Sequence, residues 1–347
     1  MNNSPQSNRL PAEWEPQSGI MITWPHQNSD WVDSMDQIEA FYLQLVKHIT
    51  RFEKVLIITF NEEHQSHIKN RIKNAQCSHE NIMFSIIETN DTWTRDYGPI
   101  TLEKKNNHIF DFRFNGWGNK FDASLDNLVT QKLVNNNTLK TQSITNAEFI
   151  LEGGSIESDG KGTLLTTSSC LLTTTRNTLY SKENIGDIVE STLGINKILW
   201  LDHGHISGDD TDGHIDMLAR FTDPNTIIYV KCEDDEDEHF DENCKMEQQL
   251  KTFTNAKNKP YKLKPLPFPS AIFDKSGRRL PASYANFLII NNAVLVPTYN
   301  DRNDKKALDM IGSCFPEREI IGIPAVSAIE QNGSLHCLTM QIPEGYL

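Results

Sequence analysis

Four polar clusters in the chain combine residue types that can do chemistry. Residues 90–99 read NDTWTRDYGP. Trp93 and Asp96 stand three apart there, an aromatic wall beside a carboxylate that suits a planar cation. The plain structural alternative is a turn in which Asp96 pairs with Arg95 or caps backbone. Residues 151–157 read LEGGSIE. Two glycines permit a tight turn or a close approach. Glu152 beside them is a hydrogen-bond anchor at a strand start, or else an exposed loop acid. Residues 203–216 hold His203, His205 and His214 with Asp209, Asp210, Asp212 and Asp216. On a strand, His214 and Asp216 would point to one face about 7 Å apart, a general base beside a carboxylate. The same run invites a metal reading, but it lacks helical H-x-x-x-H spacing and does not fit a calcium loop. The fourth cluster, residues 332–340, places Cys337 after a Gly-Ser turn at the start of a strand-like run. Most cysteines are inert core residues. A Cys with His and acids available elsewhere in the chain is also the usual layout for covalent catalysis.

Together the clusters supply a Cys, a His, several carboxylates and an aromatic, with no concentration of positive charge. Carboxylates oppose a developing oxyanion and stabilise a cationic reacting centre. The guanidinium is the common biological cation of that kind, and its planar fork pairs bidentately with carboxylates.

Alternating strands and helices must position these clusters. Segments 20–24, 55–59, 83–87, 163–167, 197–201, 226–230, 287–290 and 293–296 read as strands from their β-branched and aromatic content. Segment 36–50 puts Ile38, Phe41, Tyr42, Leu45, Val46 and Ile49 on one helical face. Ser181 and Asn303 are expected to cap two further helices. The class is α/β or α+β, with about fifteen short strands, a surplus for a doubly wound sheet. Neither common phosphate-cradling glycine motif occurs.

The chain has 347 residues and a formal net charge of −14. That balance argues against clamping nucleic acid, which needs a basic footprint. The stretch 287–296 is too short to span a bilayer. Residues 1–9 are polar and show no secretory or basic presequence. A cytoplasmic protein is expected, with residues 1–8 disordered and 9–347 forming a single domain. Six cysteines without a C-x-x-C pair read as buried thiols and perhaps one nucleophile. The acidic run 233–242 reads as a solvated loop or helix start.

Seven segments in order resemble the agmatine deiminases of the guanidine-modifying superfamily, within the bacterial-type peptidylarginine deiminase family. They are LPAEWEPQSGIMITWP (10–25), NDTWTRDYGP (90–99), FNGWGNK (114–120), LEGGSIESDGKGT (151–163), GDDTDGHIDMLARF (208–221), ASYANFLIINNAVLVPTYND (282–301) and GSLHCLTMQ (333–341). The resemblance implies a five-bladed α/β-propeller (pentein) of ββαβ-type modules around a pseudo-fivefold axis, with the active site at the axis. It implies that Cys337 is the nucleophile and His214 the general acid/base. Asp96 and Asp216 clamp the guanidinium, and Glu152 orients the histidine. Trp93 and Asp210 line the pocket for the far amine, with Asp209 the rival for that role. It implies hydrolysis of agmatine to N-carbamoylputrescine and ammonia without a metal or organic cofactor. The partner is then a small cation, not nucleic acid or a membrane, and assembly into a homo-oligomer is left open. Two departures stand out. The stretch before the Cys reads Asn332-Gly333-Ser334 where the family often has three glycines. Asp210 stands where well-known members have Glu. The rival classes are a related guanidine hydrolase acting on free or peptidyl arginine, a silent polyamine-binding protein, and a metallohydrolase built on His203, His205 and His214.

Overall fold

The computed structural model describes residues 8–103 and 107–347. The expectation for residues 1–8 therefore falls, apart from Asn8, outside the described residues. The strands form five small sheets. The first contains β1 (Gln17–Thr23), β2 (Lys54–Thr59) and β3 (Ile82–Ile86). The second contains β4 (Ile100–Leu102), β5 (His108–Arg113) and β6 (Ser143–Ile150). The third contains β7 (Ile156–Ser158), β8 (Thr163–Thr167) and β9 (Lys197–Leu201). The fourth contains β10 (Ala219–Asp223), β11 (Thr226–Lys231) and β12 (Lys262–Pro267). The fifth contains β13 (Leu288–Ile290), β14 (Ala293–Thr298) and β15 (Glu319–Pro324).

Sheets two to five share one plan. An antiparallel pair leads into a crossover and then a parallel strand. The first sheet follows the same plan through the far end of the chain. Its antiparallel partner is β16 (Thr339–Pro343), which pairs Met340 with Met21. The C-terminal strand thus closes the ring on the N-terminal one, which makes the fold a five-bladed α/β-propeller. The surplus of short strands is the signature of that repetition.

Helix Met35–Ile49 buries the six residues that its spacing placed on one face. Ser181 caps Lys182–Leu193 in a reciprocal capping box with Asn184. Asn303 does not cap Asp304–Cys314 by its side chain. Its amide donates to the Phe268 carbonyl at 2.9 Å, while Asp304 accepts the Tyr299 and Asp301 backbone N–H groups. The continuous apolar runs Leu288–Ile290 and 293–296 are fully buried, as strands covered on both faces must be. The acidic run 233–242 leads into helix Phe240–Leu250, with Asp237 held by Arg279 at 2.7 Å.

Each blade hands over to the next through a connection, and the polar clusters lie on these connections. His214 and Asp216 are a correction to the strand expectation. Ile215–Met217 is a 3-10 turn, and the strand begins only at Ala219. Asp212 and Gly213, both with positive φ, turn the chain sharply just before it. The Cys337 run is likewise a 3-10 turn, His336–Leu338, ahead of β16. The short turns Thr94–Tyr97, Gly153–Ser155, Ile215–Met217 and His336–Leu338 pack on one another, which brings four connections together in space.

Candidate active site

Where the turns meet, a cleft of about 100 Å³ opens, lined among others by Trp93, Asp96, Trp117, Asp210, His214 and Cys337. Cys337 is buried at its floor. The Asn286 amide donates to its Sγ at 3.3 Å, and Asn286 Oδ1 accepts the backbone N–H groups of His336 at 2.8 Å and Cys337 at 3.3 Å. Asp216 Oδ2 lies 3.9 Å from Sγ. Burial, then the charges of Asp216 and Asp96, push the thiol well above its usual range.

His214 sits between two carboxylates. Its Nε2 is 2.7 Å from Glu152 Oε2, and its Nδ1 is 3.6 Å from Asp96 Oδ1. Burial alone would lower its pKa, but Asp96, Cys170 and Glu152 outweigh that and raise it well above the ordinary value. Glu152 is in turn fixed by Arg176, whose Nε donates to Oε1 at 2.8 Å, and by the Cys170 thiol at 3.5 Å. Burial pushes against ionisation of Glu152, and His214 and Arg176 reverse it, so its pKa is lowered. Asp96 accepts from the Trp117 indole at 2.9 Å and the Gly154 N–H at 3.0 Å. Burial, with help from the neighbouring Glu152 and Asp216 charges and against the pull of His214, raises its pKa to about 6. Trp117 is held in the left-handed region with φ 55° inside a short tight loop, a costly conformation outside functional or strongly constrained sites.

Asp216 has one committed oxygen. Oδ2 meets His336 Nδ1 at 2.8 Å, while Oδ1 has no hydrogen-bond partner among the described residues. Burial disfavours its charge, yet His336 and His214 more than offset this and lower its pKa.

At the mouth, Trp93 packs on Trp31 with ring centroids 5.7 Å apart. Gly333 presses against the Trp93 face so closely that a Cβ there would fall 2.1 Å from the ring. Only glycine fits this part of the 332–334 segment. Asp210 Oδ2 accepts from Asn332 Nδ2 at 3.0 Å, and Lys120 reaches the Asp210 carbonyl. Burial and the adjacent Asp209 raise the Asp210 pKa. Asp209 spends both oxygens on its own turn, accepting from Thr211 N and Oγ1 at 3.0 and 2.6 Å and from Gly213 N at 3.1 Å.

The seven residues singled out from the sequence therefore gather in one region. Cys337, His214, Asp96, Trp93 and Asp210 line the cleft, and Glu152 and Asp216 stand directly behind it. Cys170, Arg176, Asn286, His336, Glu13 and Trp117 also belong to the site, and sequence reasoning assigned them no role. Glu13, Trp117, Asn286 and His336 lie inside the quoted segments, which was the available signal; Cys170 and Arg176 carried none. The histidine-rich run splits: half-buried His203 lies 3.5 Å from Glu242, and His205 stacks on His239 at 5.9 Å. Only His214 reaches the cleft, so this trio does not form one metal centre. Among the described residues, one set of potential metal ligands is close enough to share an ion: Glu152, Cys170 and His214. The Arg176 guanidinium already neutralises Glu152 there.

The blade plan and the buried cysteine, histidine and carboxylates define a pentein-fold enzyme with a candidate cysteine nucleophile. Residues 9–343 match the model of the Porphyromonas-type peptidyl-arginine deiminase family, and the chain belongs to that family. A Vibrio parahaemolyticus relative is 33% identical over 354 residues, covering 96% of each chain. Among solved structures, a Cys-to-Ser variant of C. jejuni agmatine deiminase with substrate bound is 39% identical, with 99% of both chains covered and a TM-score of 0.91. The agmatine deiminase of Enterococcus faecalis is 29% identical, covering 97% of this chain and 96% of its own, with a TM-score of 0.88.

Proposed function

We propose that this protein is an agmatine deiminase, hydrolysing agmatine to N-carbamoylputrescine and ammonia. Full-length kinship with proteins of that activity supports the reaction. The observation that carries the chemistry is a buried thiol facing the carboxylates of Asp96 and Asp216, with His214 lining the same cleft. Such a floor stabilises a guanidinium and opposes an anionic acyl intermediate.

In this reading Asp96 and Asp216 hold the guanidinium. As the cationic substrate binds, the Cys337 thiol loses its proton to solvent, and the thiolate attacks the central carbon. His214 gives a proton to one nitrogen, the C–N bond breaks and ammonia leaves, so that an amidino-thioether remains on Cys337. His214, now neutral, takes a proton from water, whose oxygen attacks the same carbon. The C–S bond then breaks as the new hydroxyl gives its proton to solvent, releasing the ureido product and the thiolate. Glu152, anchored by Arg176, keeps the imidazole oriented throughout. Trp93 and Asp210 receive the far ammonium. The reaction calls for no metal or organic cofactor. The catalytic unit is the single domain 9–347, and the protein is cytoplasmic. Among the described residues no helix is long and apolar enough to cross a membrane.

Ammonia release is to be measured with agmatine, free arginine and a peptidyl-arginine, together with the mass of acid-quenched enzyme. Agmatine should be strongly preferred, and an amidino adduct should sit on Cys337. Full activity in Cys337→Ala would overturn the covalent route, and preference for either arginine substrate would overturn the assignment of agmatine.

A further inference from the structure

Beneath the nucleophile, His336 joins two acids from distant parts of the chain. Its Nδ1 is 2.8 Å from Asp216 Oδ2, and its Nε2 is 2.7 Å from Glu13 Oε2. All three side chains are at least nine-tenths buried. Only the imidazolium form donates from both ring nitrogens. Glu13 is itself pinned, by Arg220 Nη2 at 2.8 Å and by the Ile289 N–H at 2.7 Å. The His336 backbone N–H also donates to Asn286, whose amide touches Cys337 Sγ. The line is thus rigid at its far end and stops 3.9 Å short of the nucleophile.

We propose that Glu13 and His336 are positioning residues for the reaction, forming with Asp216 a buried carboxylate–imidazole–carboxylate line that fixes one Asp216 oxygen and leaves the other for the substrate guanidinium. The line keeps Asp216 ionised and aimed, although Asp216 is fully buried. A lone buried carboxylate would otherwise favour its neutral form. Charged or titratable groups around it come from several connections. Arg95, Arg220, Glu157, Asp96, His214 and Cys337 all stand near Asp216 or His336. Arg220 divides its guanidinium between Glu13 and Glu157, so it reaches Asp216 only as a neighbouring charge. His336 is the group in direct contact.

The inference rests on the agmatine-deiminating reading, and the test separates the two. Wild-type ammonia release from agmatine is measured first; its absence would overturn the reaction assignment itself. Given wild-type turnover, kcat and KM are followed from pH 5 to 9 in His336→Asn, His336→Gln and Glu13→Gln, with melting curves recorded alongside. The Asn amide falls near the Nδ1 position and can still donate to Asp216, whereas the Gln amide falls near Nε2 and cannot. His336→Gln should lower kcat/KM by about 10- to 100-fold, the range expected for loss of a hydrogen bond to a charged group. Its acid limb should shift upward in pH, because Asp216 then holds its proton longer. His336→Asn should recover most of the loss, and Glu13→Gln should shift the limb by a smaller amount. Equal losses in Asn and Gln with the acid limb unmoved would assign His336 to packing and overturn the proposal, as would unchanged kinetics in His336→Gln. If either His336 variant fails to fold, the acid limb of Glu13→Gln decides alone: a limb at the wild-type position overturns the proposal.

Discussion

Gly154 faces the imidazole of His214 so closely that a Cβ built on it would stand 2.5 Å from Nδ1 and 2.8 Å from Asp96 Oδ1. The second glycine of the 151–157 segment is therefore a spacer. It lets the backbone N–H reach Asp96 while the His–Asp pair stays in place. Its φ is not in the left-handed region, so the restriction is spatial.

Gly154→Ala should consequently damage turnover far more than stability. A shift of about 1 Å in a catalytic group can cost on the order of 100-fold. Agmatine kinetics and a melting curve on the same preparation check this. Wild-type kcat/KM in Gly154→Ala would show that the site relaxes around a methyl group.

The protonation states give a second prediction. In the free protein the Cys337 thiol is raised by burial and by Asp216 and Asp96, and His214 is raised by its acidic neighbours. At neutral pH the resting pair is thus thiol and imidazolium. Raising the pH deprotonates the thiol, so alkylation of Cys337 by neutral chloroacetamide should be slow at pH 7 and accelerate well above it. A cationic reagent brings the opposite charge that the carboxylates lack. Chloroacetamidine should react about tenfold faster or more at pH 7, since each unit of pKa lowering is worth that factor. Equal rates for both reagents across pH would mean that substrate charge does not activate the nucleophile.

Asp209 spends both oxygens on its own turn, whereas Asp210 is held by Asn332 and is the acid proposed to meet the far ammonium. Asp210→Asn should lower kcat/KM for agmatine by roughly one to two decades, the worth of a charge-assisted hydrogen bond. Butylguanidine, which lacks the amine, should lose less. Equal losses on both substrates would place Asp210 in support of the loop instead. Asp209→Asn should loosen that turn and impair both substrates alike.

Glu53 offers a stability test away from the cleft. It is buried, its Oε2 accepts the Asn291 N–H at 2.8 Å, and its Oε1 has no partner among the described residues. Burial, only partly opposed by that bond and by Arg318, raises its pKa to about 7. A folded pKa above the unfolded value makes the native state bind the extra proton. The stability that Glu53 contributes is therefore present at acid pH and lost as pH rises from about 4.5 through about 7. Glu53→Gln keeps the acceptor and removes the titration. Its melting temperature should exceed wild type at pH 8, with the gap closing by pH 4.5. A constant gap across that range would refute the role of its charge.

Local pattern determined several things from the sequence alone. The face of Met35–Ile49, the fully buried runs at Leu288–Ile290 and 293–296, and the Ser181 cap all follow from periodicities and caps within one element. The clusters around Trp93, Glu152, His214 and Cys337 were legible because catalytic residue types stand close together along the chain. Their convergence was not, because it depends on ring closure. β16 must pair with β1 before His336 can meet Glu13, a contact spanning 323 positions. Asn286 looked like an ordinary residue beside an apolar strand until the connection between β12 and β13 carried it to the Cys337 sulfur. Asp209 and Asp210 are indistinguishable by type in the sequence, and only tertiary structure shows that the first is bound into its own turn while the second meets Asn332. Repetition of short strands can be read along a chain; the axis on which five connections meet exists only once all five blades are packed.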